Sequence, residues 1–562
     1  MREVFDFGLT YNYNMVKRKA ELRSGSIGMT AHKYSELKTL RSGAEQHWQI
    51  DNLQPFFPPI EKLFKTTLLE NASEYGIRFE DEVTSILSPT SIRSITNSTI
   101  EVHRKTSMLL GPFKWMQGDY GKTLGLPSTT EESESMFSKL QNSNNSAYVG
   151  AIISSALAHS GCQHFPSVYG VFTGISKKHT IDISDDYPDL CERSWFSQNI
   201  GKTFEIQLSD EVQNASEFKH TRTARLSIQL GEEIDSLGNI QELDGILSES
   251  KELPELKQVF HDEEENDNDD ESDSSSVSTS YIFGVKSCDC DSDEENDETN
   301  DDDGESEEPF AWASFTNVPV QITLLEKCEG TIYELCMKYP DTTKHLAWIS
   351  QVMFALAFAQ RNFAFVHNDL HANNVMFNKT DKEFLYYNCG GTLFQVPTYG
   401  YLIKIIDFER SSMSLKLNGM KEPKFFISDH FLIDEEAAGQ YNCEPFYTPK
   451  QPSIKPNPSF DLVRLATSLF WDLFPEGPQS ASYSENLLFK LFMKWLTLED
   501  GTSVFFGKHS PKHDRYHGFY LYKAIARFCK DTAVPRKEIL SLKSIYGIEK
   551  IPLGVSVCSI DF

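Results

Sequence analysis

Two stretches of the chain carry residues whose types and spacing could do chemistry. The first is Phe365-Val366-His367-Asn368-Asp369-Leu370-His371-Ala372-Asn373-Asn374-Val375-Met376-Phe377, a polar loop between apolar runs. The second is Leu402-Ile403-Lys404-Ile405-Ile406-Asp407-Phe408, an apolar strand that delivers a carboxylate. A carboxylate at Asp369 can accept a hydrogen bond from an attacking hydroxyl and aim it. Asn374 and Asp407 offer the hard oxygen ligands that magnesium prefers, and magnesium bridges phosphate oxygens. This set suits phosphoryl transfer, in which a metaphosphate-like group needs positioning and charge neutralisation more than covalent chemistry. His367 and His371 stand four apart, but a metal pair at that spacing needs a helix and further ligands. His367 is therefore read as a residue that braces the loop.

Larger elements must position these residues. Thr343 to Asn362 is a strongly apolar helix whose Leu346, Ile349, Val352, Met353, Leu356 and Phe358 exceed what a surface helix needs, so it is expected inside a helical region. Asn145 to Ser160 has Tyr148, Val149, Ile152, Ile153, Ala156 and Leu157 at helical spacing, with Gly161 as a stop. One face of it should pack on a sheet. Short β-rich runs surround it from about 70 to 230, and Val318 to Leu325 is a further apolar β run. The expected fold class is α+β, with a β-rich N-lobe, a helical C-lobe and an acidic insertion without fixed structure. The boundaries are residues 1–60 as an N-terminal extension, 61–325 as the N-lobe with the insertion at about 231–312, and 326–562 as the C-lobe. No internal repeat is visible.

At 562 residues, 39% hydrophobic and 12% aromatic, the chain has ample material for a large core. Its formal charge of -29 is local: residues 262–308 hold 22 acidic residues and one lysine, so they supply 21 of the 29 charges. Like charges at that density repel and bury nothing. The rest is mildly acidic and offers no basic groove for nucleic acid. Ser274 to Ser276 fall in this acidic run, and Cys288-Asp289-Cys290 offers too few ligands for a zinc site. No secretory signal and no span of about 20 uncharged apolar residues is found, so an intracellular protein without membrane association and with reduced thiols is expected. Lys17-Arg18-Lys19 is short for a nuclear address, which leaves the nucleus open.

The joint order of buried helix, His-x-Asp-x-x-x-x-Asn, hairpin and strand-Asp-Phe resembles the protein-kinase catalytic set. Residues 363–412, with the hairpin through Tyr387-Asn388-Cys389-Gly390-Gly391 and Val396-Pro397-Thr398-Tyr399-Gly400, are similar to haspin-type kinases. They also resemble the serine/threonine-kinase-like proteins of large nucleocytoplasmic DNA viruses. Val102 to Ser107, Leu109 to Pro112, Asn145 to Val149 and His164-Phe165-Pro166 with Tyr169-Gly170 point to the viral group, and the likeness covers about 70–535. It implies a two-lobed kinase fold, ATP, magnesium, and protein substrates with Ser/Thr hydroxyls, in the host cytoplasm or the virion.

By that resemblance Asp369, Asn374 and Asp407 are catalytic, with Asn374 and Asp407 holding the metal. Lys105 holds the α- and β-phosphates, with Lys114 as its competitor. Leu324 to Gly330 resembles the hinge, in which Leu325 is the gatekeeper and the backbone of Glu326, Lys327 and Cys328 meets adenine. His371 stands by the cofactor, where most kinases carry a lysine. Asp461, in Phe460 to Leu465, braces the catalytic loop.

Several departures stand beside the matches. No Gly-x-Gly-x-x-Gly loop precedes Lys105, and Gly76 is isolated. The helix 145–160 contains no carboxylate to pair with Lys105; Glu131, Glu132 and Glu134 could substitute only if the helix begins earlier. Asn368 replaces the arginine that receives an activation-loop phosphate in regulated kinases, and Glu409 replaces the glycine after Asp-Phe. No Ala-Pro-Glu follows. Three functions fit: an active serine/threonine kinase, a pseudokinase whose acidic insertion recruits basic protein partners, or a small-molecule kinase of the aminoglycoside or choline type, suggested by Asp369-Leu370-His371.

Overall fold

The computed structural model describes residues 27–120, 125–128, 138–184, 186–208, 311–432, 457–507, 513–516 and 519–560. The fold is mixed α+β, β-rich towards the N-terminus and richer in helix after residue 331. One sheet dominates the first region. Its strands are β1 (Ile50–Gln54), β2 (Val83–Ile86), β3 (Ser91–Ser94), β4 (Thr99–Met108), β5 (Val168–Asp182), β6 (Glu205–Leu208) and β7 (Ala311–Glu326). The order is β1-β5-β7-β4-β3-β2, all antiparallel, with β6 paired to the start of β7. Val318 to Leu325 are buried on both faces of β7, which explains a continuous apolar run where a half-exposed strand would alternate.

Two boundaries differ from those read in the sequence. β7 begins at Ala311, seven residues before Val318, because Trp312 to Ser314 pair with both β5 and β6, and Ala311 with β6. The stretch taken as insertion to residue 312 therefore includes the start of a core strand. The acidic run itself lies outside the described residues, as do Ser274 to Ser276, Cys288 and Cys290. The segment read as an N-terminal extension supplies β1 to the sheet and the helix α1 (Leu37–Trp48), whose Leu37, Leu40, Ala44 and Trp48 are buried.

The helix α2 (Ser146–His159) is buried continuously from Ser146 to Leu157, so it packs on several sides and not on one face only. Its start is fixed by hydrogen bonds. The Asn145 side chain accepts from the Ala147 amide at 3.1 Å, and Asp429 accepts from the Ser146 amide at 3.2 Å. Asn145 also donates through Nδ2 to the Leu109 carbonyl at 2.5 Å, tying the helix to the chain just after β4.

After β7 come β8 (Gly330–Thr331) and the long helix α3 (Thr342–Phe363). Residues 345–359 of α3 are all buried, and the Asp341 side chain caps it. Two strands follow, one on either side of a hairpin: β9 (Val375–Lys379), then the hairpin β10 (Phe384–Cys389) and β11 (Thr392–Pro397), then β12 (Tyr401–Ile405). β9 and β12 pair antiparallel; β10 and β11 join the C-terminal strands Gly547–Ile548 and Val557–Ile560 in a four-stranded sheet. Trp348 and Gln351 of α3 hydrogen-bond to the Thr398 and Tyr401 carbonyls at 3.0 and 3.1 Å. The helices α4 (Phe460–Leu473), α5 (Leu487–Leu496) and α6 (Phe519–Phe528) follow, and after them the short helices Pro535–Ser541 and Lys543–Tyr546. Apolar residues of both regions form one continuous buried core. Among the described residues no helix is long and apolar enough to cross a membrane.

Candidate active site

The loop from Val366 to Asn374 connects α3 to β9 and is held mostly by bonds between side chains and backbone. Asp461, on the first turn of α4 and fully buried, accepts from the His367 and Asn368 amides at 2.9 and 3.0 Å. The Asp369 amide donates to His367 Nδ1 at 3.3 Å, so Nε2 carries the proton and donates to the Ile406 carbonyl at 2.8 Å. Asn368 adopts a left-handed φ of 66°, a region that asparagine tolerates better than most residues. It donates from Nδ2 to the Arg410 carbonyl at 2.8 Å. An arginine at this position would lose both advantages.

Asp369 faces a different set of partners. Tyr522 of α6 donates to Oδ1 at 2.7 Å, and Arg410 lies 3.7 Å from Oδ2. Burial acts to raise the Asp369 pKa, but Arg410, His371, the Tyr522 hydrogen bond and Arg464 together bring it below its ordinary value. His371 is pulled down to about 4 by burial, against the opposing pull of Asp369, and is neutral at physiological pH. The Asn374 amide nitrogen donates to the Asp369 carbonyl at 2.9 Å and to His371 Nε2 at 3.1 Å. That double use of Nδ2 turns Oδ1 the opposite way.

The register of β9 against β12 pairs Val375 with Ile405, and the Ile406 amide donates to the Asn374 carbonyl at 3.0 Å. Asn374 is thereby set beside the turn that carries Asp407. Asp407 has a φ of 65°, again a left-handed conformation in which aspartate is among the tolerated residues. The next side chain, Phe408, is buried among Phe165, Phe365 and His367, with ring centroids 5.6 to 6.1 Å away. That aromatic group fixes the direction in which Asp407 leaves the strand.

Lys105 reaches the same point from β4. Its Nζ lies 2.5 Å from Asp407 Oδ1 and 3.2 Å from Glu409 Oε1. Burial works to lower the lysine pKa, but the two carboxylates outweigh it and raise it. Burial likewise works to raise Asp407, and Lys105 holds it down at about 2. Both groups are ionised over the physiological range. Lys114, the competing lysine, sits on the short helix Pro112–Gln117 and not on a strand.

Leu325 and Glu326 end β7, with Leu325 buried opposite His103 of β4; Lys327 and Cys328 follow in the link to β8. The Glu326 side chain has a structural use that the sequence did not suggest. It accepts from Asn378 at 2.7 Å, from the nearly buried Lys404 at 2.9 Å and from the Ser167 amide at 3.0 Å. It thus staples the end of β7 to β9, to β12 and to the loop after α2. In that loop His164, pulled down to about 4 by burial, lies 2.8 Å from the Ile403 carbonyl and 2.7 Å from the Tyr387 hydroxyl.

No family model matches the chain. A protein of Acanthamoeba polyphaga mimivirus, R400, named as a serine/threonine-protein kinase, is 32% identical over 121 residues, 20% of this chain and 25% of the relative. The serine/threonine-protein kinase haspin of mouse is 35% identical over 65 residues, 12% of this chain and 9% of haspin. An uncharacterised protein of Caenorhabditis elegans, ZK177.2, is 28% identical over 71 residues, 13% of this chain and 24% of its own. The likeness is to viral and haspin-type protein kinases. The matched stretches span a quarter or less of each of these relatives.

In the light of that kinase likeness, the residues singled out from the sequence fall into two groups that meet at Asp407. Lys105 and Asp407 are in direct contact; Asp369, His371 and Asn374 are linked through the loop. Tyr522, Arg410, Ser107 and Glu409 were missed. Tyr522 lies 153 residues from Asp369, and no local pattern announces such a contact. Glu409 could have been found, because a helix without a carboxylate and a carboxylate in place of glycine are complementary departures. The expected glutamates Glu131, Glu132 and Glu134 lie outside the described residues, and α2 begins at Ser146 with its cap in place.

Proposed function

We propose that the protein is an ATP- and magnesium-dependent phosphotransferase with a two-lobed kinase fold, a serine/threonine protein kinase that transfers the γ-phosphate of ATP to protein hydroxyls. The observation that carries this reading is the convergence on Asp407. Lys105 comes to it across the sheet, and the β9–β12 register brings Asn374 alongside. The lysine sits on the third strand of the β2-β3-β4 meander, as kinase lysines do. The turn 87–90 between β2 and β3, Leu-Ser-Pro-Thr, is the candidate lid over the phosphates and contains no glycine.

Each residue has a task in this reading. Asp369, ionised under the influence of Arg410 and Tyr522, accepts a hydrogen bond from the substrate hydroxyl and orients it. Asn374 Oδ1 and the Asp407 carboxylate are the hard oxygen donors that would hold Mg2+, and they fit it: one is turned outward by its own amide, the other is held anionic. When bound, the ion neutralises phosphate charge. Lys105 contacts the α- and β-phosphates. The backbone of Glu326, Lys327 and Cys328 meets adenine, with Leu325 at the back of the site.

The test is transfer of labelled phosphate from ATP with magnesium into a protein mixture, wild type beside Asp369→Asn. The variant is expected to lose about 10²- to 10⁴-fold in rate, the share typical of a positioned base, while still binding nucleotide. A wild-type protein that neither binds ATP nor labels any protein would remove this reading.

A further inference from the structure

In protein kinases the phosphate-holding lysine needs an ion-pair partner, and that partner comes from a helix whose position controls activity. We infer that in this chain the role has moved to Glu409, two residues after Asp407, and that α2 has given it up. The inference rests on the phosphotransferase reading of the site and concerns how Lys105 is positioned within it.

Four independent observations converge. Helix α2, SAYVGAIISSALAH, contains no acidic residue, and its cap by Asn145 and its contact with Asp429 prevent it from starting at an earlier carboxylate. Glu409 Oε1 lies 3.2 Å from Lys105 Nζ. The same oxygen accepts a short hydrogen bond from the Ser107 hydroxyl. Residues 105 and 107 share one face of β4, so one strand face supplies both contacts to Glu409.

The fourth observation concerns the helix itself. Gly150 of α2 faces Glu409 so closely that a Cβ there would lie 2.7 Å from Glu409 Cγ and 3.3 Å from its Cα. The helix has no side chain at the point where it meets the lysine's partner, and Glu409 fills the space. Glu409 itself lies outside the left-handed residues of the chain, so the glycine it replaces is not required by the backbone.

The charge balance explains why two carboxylates surround one lysine. Asp407 is also a candidate metal ligand, and a carboxylate given over to a divalent cation no longer neutralises Lys105. Glu409 remains for that purpose. Because Glu409 and Asp407 lie on one short segment braced by Phe408, the lysine and the metal ligand are assembled together. Displacement of α2 would not uncouple them, and activity should be insensitive to partners that move the helix.

The experiment uses the full chain and measures both the affinity for a fluorescent ATP analogue with magnesium and the kcat and KM for ATP. Glu409→Gln preserves shape and removes charge; it is expected to weaken ATP use by about 10- to 100-fold in kcat/KM, the range of one charge-assisted contact, chiefly through KM. The double variant Gly150→Glu with Glu409→Gly returns a carboxylate from the helix side and should recover part of the loss, which a merely structural role would not allow. Ser107→Ala, a mild change that should fold normally, is expected to raise KM for ATP by a few-fold, about the effect of one hydrogen bond from a neutral donor to the Glu409 carboxylate. Wild-type kinetics and affinity in both Glu409→Gln and Ser107→Ala would overturn the inference while leaving the kinase reading intact. A wild-type protein that binds no ATP would remove both.

Discussion

Asp461 and Asp407 are both aspartates at the centre of the site, yet the regions around them are built on opposite principles. Asp461 is completely buried and accepts two backbone amides, so the loop it braces is held by directional bonds in a dry interior. Asp407 is 43% exposed at its side chain and is held by Lys105, itself a quarter exposed, through charge. A buried acceptor that loses its role leaves amides with no partner, whereas exposed charges keep water as an alternative. The first region is therefore rigid and costly to disturb. The second can exchange partners, as the phosphate and metal site proposed for it would require.

The sharpest way to break this comparison is to remove the brace. Asp461→Ala strands two buried amides and should destabilise the fold by about 3–5 kcal/mol, read from the urea midpoint. Lys105→Ala should cost no more than about 1 kcal/mol. Equal shifts in the two variants would show that the regions are not different in kind.

Acidity separates them next, with opposite signs. Burial raises Asp461 to about 6, above its unfolded value near 3.8. Its contribution is then fully present below pH 4 and is lost as pH rises through 6. Lys105 lowers Asp407 to about 2, so that contribution is present above pH 4 and is lost as pH falls towards 2. Urea midpoints from pH 2 to 7 should show both slopes, the Asp407 slope being the shallower because solvent screens it. Asp461→Asn should flatten the upper slope only, and Asp407→Asn the lower only.

Salt should sharpen the contrast further. On the proposed function ATP affinity rests on the half-open charged cluster, so it is expected to fall between 0.05 and 0.5 M salt, while the urea midpoint barely moves. The smallest expected effect is that of Tyr522→Phe. Loss of its bond to Asp369 removes one cause that lowers the carboxyl pKa, so the acid limb of the rate profile should move to higher pH. The rate at pH 7 should change about fivefold or less. An unmoved limb would mean that Arg410, His371 and Arg464 set the ionisation of Asp369 without Tyr522.

The comparison also indicates which parts could be read before any fold was known. Asp369, Asn374 and Asp407 were legible because they stand within 39 residues, where the loop after α3 leads into β9 and its partner β12, reached through the β10–β11 hairpin, delivers Asp407. The helix Thr342–Phe363 was legible from its apolar residues, to within one residue at each end. The sheet was less so. The start of β7 was hidden beside an acidic run, and β1 carried too little alternation in Ile50 to Gln54 to announce a strand.

By itself, the sequence determined the local chemistry: which carboxylates and amides stand at which spacing, and which helix and strands must flank them. Tertiary structure alone decided who meets Lys105. Its contacts with Asp407 and Glu409 join residues about 300 positions apart, and nothing in local propensity encodes a pairing at that distance. Glu409 appeared in the sequence as a glycine lost. In the fold it is a carboxylate gained, because Gly150 leaves the space and β4 brings Lys105 and Ser107 to it.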